Sequence, residues 1–190
     1  TAFRLTMPGS RRNTLATASR VILLFGVLCY FTSCAMDVNT GIDVDERLSA
    51  TGGEVGPFTV DEQTVLDVEV EQRIERGRRT FRRWSFVTAE LLDANKNYLT
   101  GFGGEMWHEA GYDDGEYWRE SKNEYANKIT IPEAGTYYLR FKTESDVPHH
   151  ELSPIEVEVR GTLGSSLPHH IAAILAFVLG GVLWWKANTS

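Results

Sequence analysis

Two stretches of the chain carry no charged side chain, and the region between them alternates polar and apolar. Residues 21–36 read VILLFGVLCYFTSCAM and residues 171–185 read IAAILAFVLGGVLWW. Unbroken apolar runs of this length predict helices in an apolar surrounding. Each is short of the ~20 residues that span a ~30 Å hydrocarbon layer, with ~17 as the lower limit. The flanks supply the missing turns. Arg20 can snorkel at one end of the first run. Trp184, Trp185 and Lys186 make an interfacial anchor after the second. Pro168 suits a first helical turn, where a missing N–H is harmless. Two buried core helices are the alternative, but no other helical pattern exists for them to pack against.

Between the runs the period is two. Leu66, Val68 and Val70 alternate with Asp67, Glu69 and Glu71, as in a half-buried strand. Residues 81–92 predict a second strand, with Trp84, Phe86 and Thr88 on one face. Residues 93–97 make a turn, and 98–107 return. Residues 125–131 and 136–143 are strands joined by Pro132-Glu133-Ala134-Gly135, and 153–160 close the domain with Ile155, Val157 and Val159 inward. Six or more such strands predict an all-β antiparallel sandwich or jelly roll flanked by two transmembrane α-helices. The expected layout is a cytoplasmic tail (1–20), a transmembrane helix (21–36) and a linker (37–56). A sandwich (57–162), a linker (163–168), a transmembrane helix (169–186) and a short cytoplasmic tail (187–190) follow.

Charge sharpens this picture. The 190 residues carry a net charge of −7, but every acidic residue lies between the apolar runs. Of the 19 Lys and Arg, Arg4, Arg11, Arg12 and Arg20 precede the first run and Lys186 follows the second. That leaves 14 against 26 acidic residues, a net −12 in the middle. Such a domain is soluble and is no nucleic-acid binder. Four arginines and no acid before the first run predict a cytoplasmic N-terminus, an extracytoplasmic domain and a cytoplasmic C-terminus.

The N-terminal segment also has the order of a signal peptide: basic, apolar, then small residues. Phe31-Thr32-Ser33-Cys34 is close to a lipoprotein cleavage motif, with Phe31 where Leu is usual. The expectation adopted is a retained anchor, with Thr1 following removal of an initiator methionine. Cys29 and Cys34 lie in the first run and read as small apolar residues at a helix interface.

No catalytic motif is present: there is no G-x-S-x-G, no H-E-x-x-H and no phosphate-binding glycine loop. The expectation is a protein without enzymatic activity and without a cofactor. Asp113, Asp114 and Glu116 could offer oxygen ligands to Ca²⁺, but a solvated acidic turn explains them as well. Trp107, Tyr112, Tyr117 and Trp118 could stack on a sugar or fill the sandwich core. His149-His150 and His169-His170 could ligate a metal or pigment, while a polar residue at 169–170 also simply ends a span. Arg73, Arg76, Arg78, Arg79, Arg82 and Arg83 are the one basic cluster in the acidic domain. They form a solvated hairpin tip, or they contact lipid phosphates or an acidic partner. Ala172, Ala176 and Gly180 lie four apart on one helical face, broadened by Ala173 and Gly181, and Gly26, Cys29 and Ser33 make a similar face. Small residues so spaced let another helix approach closely, either the other span or a partner's.

The stretch Ile129-Thr130-Ile131-Pro132-Glu133-Ala134-Gly135-Thr136-Tyr137-Tyr138-Leu139-Arg140, followed by Ile155-Glu156-Val157-Glu158-Val159, resembles the ending of bacterial extracytoplasmic sandwiches, among them pre-peptidase C-terminal domains. The pattern from Tyr112 to Ser121, the Ala-Gly-Thr-Tyr-Tyr turn and a span ending in paired tryptophans is similar to bacterial membrane-anchored proteins of unknown function. The resemblance covers residues 57–186 and implies fold and placement, with no catalytic residue. The expectation is an accessory subunit of a larger bacterial membrane complex, of a respiratory or photosynthetic kind. It would sit in the cytoplasmic membrane, with other membrane subunits and lipid as partners. The alternative is a free-standing cell-envelope protein that binds glycan or peptide.

Overall fold

The computed structural model describes residues 9–74 and 82–189. These form two compact units: Asn39–Thr162, and the segments on either side of it.

The first unit is a two-sheet β-sandwich with nine strands among the described residues. They are β1 (Asn39–Leu48), β2 (Gly52–Val60), β3 (Thr64–Glu71), β4 (Arg83–Leu92), β5 (Tyr98–Asp113), β6 (Glu116–Lys122), β7 (Glu124–Ile131), β8 (Gly135–Ser145) and β9 (Ile155–Thr162). One sheet has the order β1-β9-β3-β7 and the other β2-β8-β4-β5-β6, with every pairing antiparallel. Four plus five strands differ from the eight of a jelly roll.

Alternation fills the space between the sheets. Leu66, Val68 and Val70 of β3 and Ile155, Val157 and Val159 of β9 meet Val87, Ala89, Leu139 and Phe141 from the facing sheet. Burying each of these side chains fully, Ala89 apart, is worth roughly 1.5–3 kcal/mol. Tyr125 of β7 crosses the core, and its hydroxyl donates to the Val87 carbonyl of β4 at 3.0 Å. Burial pushes the Tyr125 phenol well above its ordinary pKa. Gly104 of β5 makes the room, since a Cβ there would collide with the Tyr125 ring. At one end the fully buried Gln72 donates from Nε2 to the carbonyls of Ala50 (2.9 Å) and Ser153 (3.3 Å).

Two expectations need correction. Residues 37–56 are no linker: β1 and most of β2 lie there, and β1 pairs with β9 from Leu48↔Ile155 to Asn39↔Thr162. Ile42, Val44 and Leu48 do alternate inward, but the exposed Glu46 interrupts them, and a register shift between Asn39 and Asp43, beside Gly41 at φ 91°, cuts the alternation short. A second shift between Val55 and Phe58 does the same in β2. The strand after residue 98 is also longer than expected. It reaches Asp113 and turns through Asp114-Gly115 into β6. Both turn residues have positive φ, 47° and 87°, which suits a two-residue hairpin loop.

The second unit is an antiparallel pair of helices, α1 (Gly9–Met36) and α2 (Leu167–Thr189). Both are longer than the apolar runs that predicted them, and both are long and apolar enough to cross a membrane by length and composition.

Candidate functional site

The helix pair packs through its smallest side chains. Ser19, Gly26, Cys29 and Ser33 of α1 are buried, as are Ala173, Ala176, Gly180 and Ala187 of α2. A Cβ on Gly26 would stand 3.1 Å from the Ala176 Cβ, and one on Gly180 would stand 2.8 Å from Leu23. Ser19 Oγ donates to the Gly180 carbonyl at 2.9 Å. Ser33 Oγ lies 2.7 Å from His170 Nδ1 and donates to the Ser166 carbonyl at 3.2 Å. The seam advances by alternating threes and fours, as in coiled coils. Ala172 is therefore only half-buried, and Ala173 occupies the seam beside Ala176. Gly181 faces open space. Large apolar side chains point outward on both helices: Leu24, Leu28 and Phe31 on α1, and Ile174, Leu175 and Val178 on α2. Arg20, Trp184, Trp185 and Lys186 are exposed, as is the free Cys34.

On the sandwich, Arg76, Arg78 and Arg79 lie outside the described residues. The flanking arginines are engaged within the domain. Arg82 pairs with Glu105 at 3.3 Å, the half-buried Arg83 with Glu151, and Arg73 with Glu71 at 2.6 Å. His149 and His150 sit on a short 3-10 turn before β9.

The aromatic residues divide. Trp107 is half-buried and pairs across strands with Trp84 on the outer face of its sheet. Tyr112, Tyr117 and Trp118 are on the β5–β6 hairpin at 76%, 52% and 38% exposure, outside the core. Tyr112 stands opposite Tyr117 with ring centroids 5.3 Å apart, edge to face. Trp118 lies across Gly111, where a Cβ would come within 3.0 Å of its ring. The same face carries Asp113 opposite Glu116 and Glu109 opposite Glu120. An open hollow is lined by Asp113, Asp114, Glu116, Trp118 and Glu120. Among the described residues no three His, Cys, Asp or Glu side chains are grouped to hold a metal ion. This arrangement can grip a cationic or flat partner by charge and stacking. Its signal in the sequence was Asp114-Gly115 between Tyr-rich flanks, a strong hairpin mark.

No protein-family model and no curated protein matches the chain. Among solved structures it is similar to the VP2 subviral particle of infectious bursal disease virus (TM-score 0.33, 9% identity over 71% of this chain). It is similar also to the structure of the Gx strain of that virus (TM-score 0.33, 14% identity over 72%). The chain spans 33% of the length of both. At these scores the likeness carries no argument about fold or function.

Proposed function

We propose that this chain is a non-catalytic accessory subunit of a larger bacterial membrane complex, with α1 and α2 as its membrane anchor and the sandwich as its extracytoplasmic part. The observation that carries the reading is the outward-facing apolar surface of both helices around an inward seam of Gly, Ala, Ser and Cys. Water would not tolerate that arrangement, whereas lipid matches it, and small residues then bring the helices together. At 1.5 Å per residue, the 25 and 23 residues of the two apolar helical stretches reach roughly 35 Å, enough for a ~30 Å hydrocarbon layer. The arginines preceding the first apolar run favour an N-terminus on the cytoplasmic side. An interaction role draws support from the exposed aromatic and acidic hairpin, since Trp and Tyr are the types that anchor interfaces.

Mild-detergent purification with mass spectrometry should find the chain with other membrane proteins in fixed ratio. Alkaline phosphatase fused within the sandwich should be active, and a cytoplasm-dependent reporter should work after residue 189. A chain that purifies from the soluble fraction, or an inactive phosphatase fusion, overturns the reading. The exposed Tyr112, Tyr117 and Trp118 also favour a second one, a cell-envelope glycan binder. Glycan pull-down by the full chain, lost in Trp118→Ala, would select it.

A further inference from the structure

Among the described residues the outer half of β5 has a single strand neighbour. Strand β4 pairs with β5 as far as Arg83↔His108, and from Glu109 to the tip β6 is the one partner among the described residues. Two-stranded ribbons are marginal in water by themselves. A two-residue loop at Asp114-Gly115 makes Asp113 and Glu116 a hydrogen-bonded pair. Counting along the ladder, the backbone N–H and C=O groups of Tyr117, Arg119 and Ser121 then point away from β5, along the open edge of the sheet.

The side chains beside that edge are unbalanced. Asp113 faces Glu116 and Glu109 faces Glu120, and like charges directly opposite weaken a ribbon. None of Glu109, Asp113, Asp114, Glu116 and Glu120 has an ion-pair partner among the described residues. Glu54, Glu90, Glu105 and Asp67 on the same sandwich all have one. Trp118 sits between the two acidic pairs on their own face, and every residue of β6 is exposed. Among the described residues, then, the charge is uncompensated where the backbone edge is unpaired and the aromatic surface is bare.

We infer that the open edge of β6 takes an extended basic segment of a partner polypeptide as an additional strand. Its main chain bonds to the outward groups of Tyr117, Arg119 and Ser121, and its side chains alternate in step with β6. Residues beside Glu116 and Glu120 are Lys or Arg, and the residue between them, beside Trp118, is apolar. The partner motif is therefore basic-x-apolar-x-basic. Strand addition supplies affinity, while the carboxylates and Trp118 supply selection. The inference deepens the subunit reading and rests on it for the partner's being a protein.

The probe is the blocked, dye-labelled peptide Thr-Lys-Val-Leu-Val-Lys-Thr, titrated by fluorescence anisotropy against the full chain in nonionic detergent. Thr-Glu-Val-Leu-Val-Glu-Thr is the control. The Lys peptide should bind more tightly, and less so as salt rises. Glu116→Lys with Glu120→Lys should reverse the preference, and Trp118→Ala should weaken the Lys peptide about tenfold. N-methylation of alternate peptide nitrogens on the bonding edge should abolish binding. An equal response to the two peptides, unchanged binding in the double variant, or full binding by the N-methylated peptide each overturns the inference. Unchanged melting of the variants shows that their positions act at the surface. Detergent extraction from membranes is read separately. If the Lys peptide binds as described but the chain proves soluble, the membrane reading alone falls.

Discussion

The two units sort their side chains in opposite directions. In the sandwich Leu66, Val68, Phe141 and Val157 are inside, and the outer faces carry ion pairs such as Lys142–Glu90 and Lys128–Asp67. In the helix pair Ser19, Gly26, Ser33 and Gly180 are inside, and Leu24, Phe25, Ile174 and Leu175 are outside. The first arrangement is what the hydrophobic effect builds in water. The second leaves that effect almost nothing to gain from helix association, so close packing and hydrogen bonds such as Ser19 to Gly180 must hold the pair. The same chain therefore depends on two different forces, and substitutions can address them one at a time.

The largest expected effect is in the sandwich. Phe141 is among its largest fully buried side chains, and Phe141→Ala removes both its transfer energy and the atoms its neighbours touch. The loss should be about 3–5 kcal/mol. Urea unfolding followed by tryptophan fluorescence measures it, with the far-ultraviolet helical signal as the second probe. If the helical signal collapses at the same urea concentration, the two units do not stand on separate forces.

Next comes the seam. Gly180→Leu drives a side chain into Leu23 and should destabilise the helix pair by about 1–3 kcal/mol, while Gly181→Leu points into open space and should be nearly neutral. Titration of the full chain with a denaturing detergent, read by helical circular dichroism, separates the two variants. Equal behaviour would mean that small size at the seam is not what brings the helices together. Because Gly180 meets α1 of its own chain, the loss should appear without any other protein present.

The clean periods were readable in advance. Leu66, Val68 and Val70 face the core as their alternation indicates, because β3 is central and pairs on both sides without interruption. β1 was hidden because the exposed Glu46 interrupts the alternating Ile42, Val44 and Leu48 and because the strand is irregular near Gly41. The helix face read at four-residue steps began at Ala172, whereas a seam of mixed threes and fours runs through Ala173. The aromatic group from Trp107 to Trp118 was noticed as a set, but its division needed the register. Only pairing shows that Trp118 covers Gly111 between two acidic pairs. Pairing across a sheet is a long-range property, and composition does not encode which residues become neighbours.

The smallest effect concerns acid. The turn between β4 and β5 is organised by Asp93. Its Oδ1 accepts from the backbone N–H groups of Asn95 (2.8 Å) and Asn97 (2.9 Å), and its Oδ2 accepts from Asn97 Nδ2 at 2.9 Å. Lys96 in this turn takes φ 65°, an unusual conformation that the network holds. The Asn97 side-chain bond above all, then the backbone bonds, favour the charged carboxylate and set its pKa below the ordinary value of 3.8. A lowered folded-state pKa contributes stability that is complete above the unfolded value and is lost as pH falls through the folded one. The turn should therefore hold at neutral pH and loosen only below the ordinary carboxylate range. Carbon-detected NMR of the Asp93 carboxyl should give a midpoint below that of Asp in a short peptide. Asp93→Asn should remove this part of the acid sensitivity while leaving a weaker turn at neutral pH. Neither α1 nor α2 contains an acidic residue, so the helix pair offers no carboxylate to protonate. Acid should loosen the β4–β5 turn while the helical signal stays constant, and a helical loss with the same midpoint would break the separation of the two units.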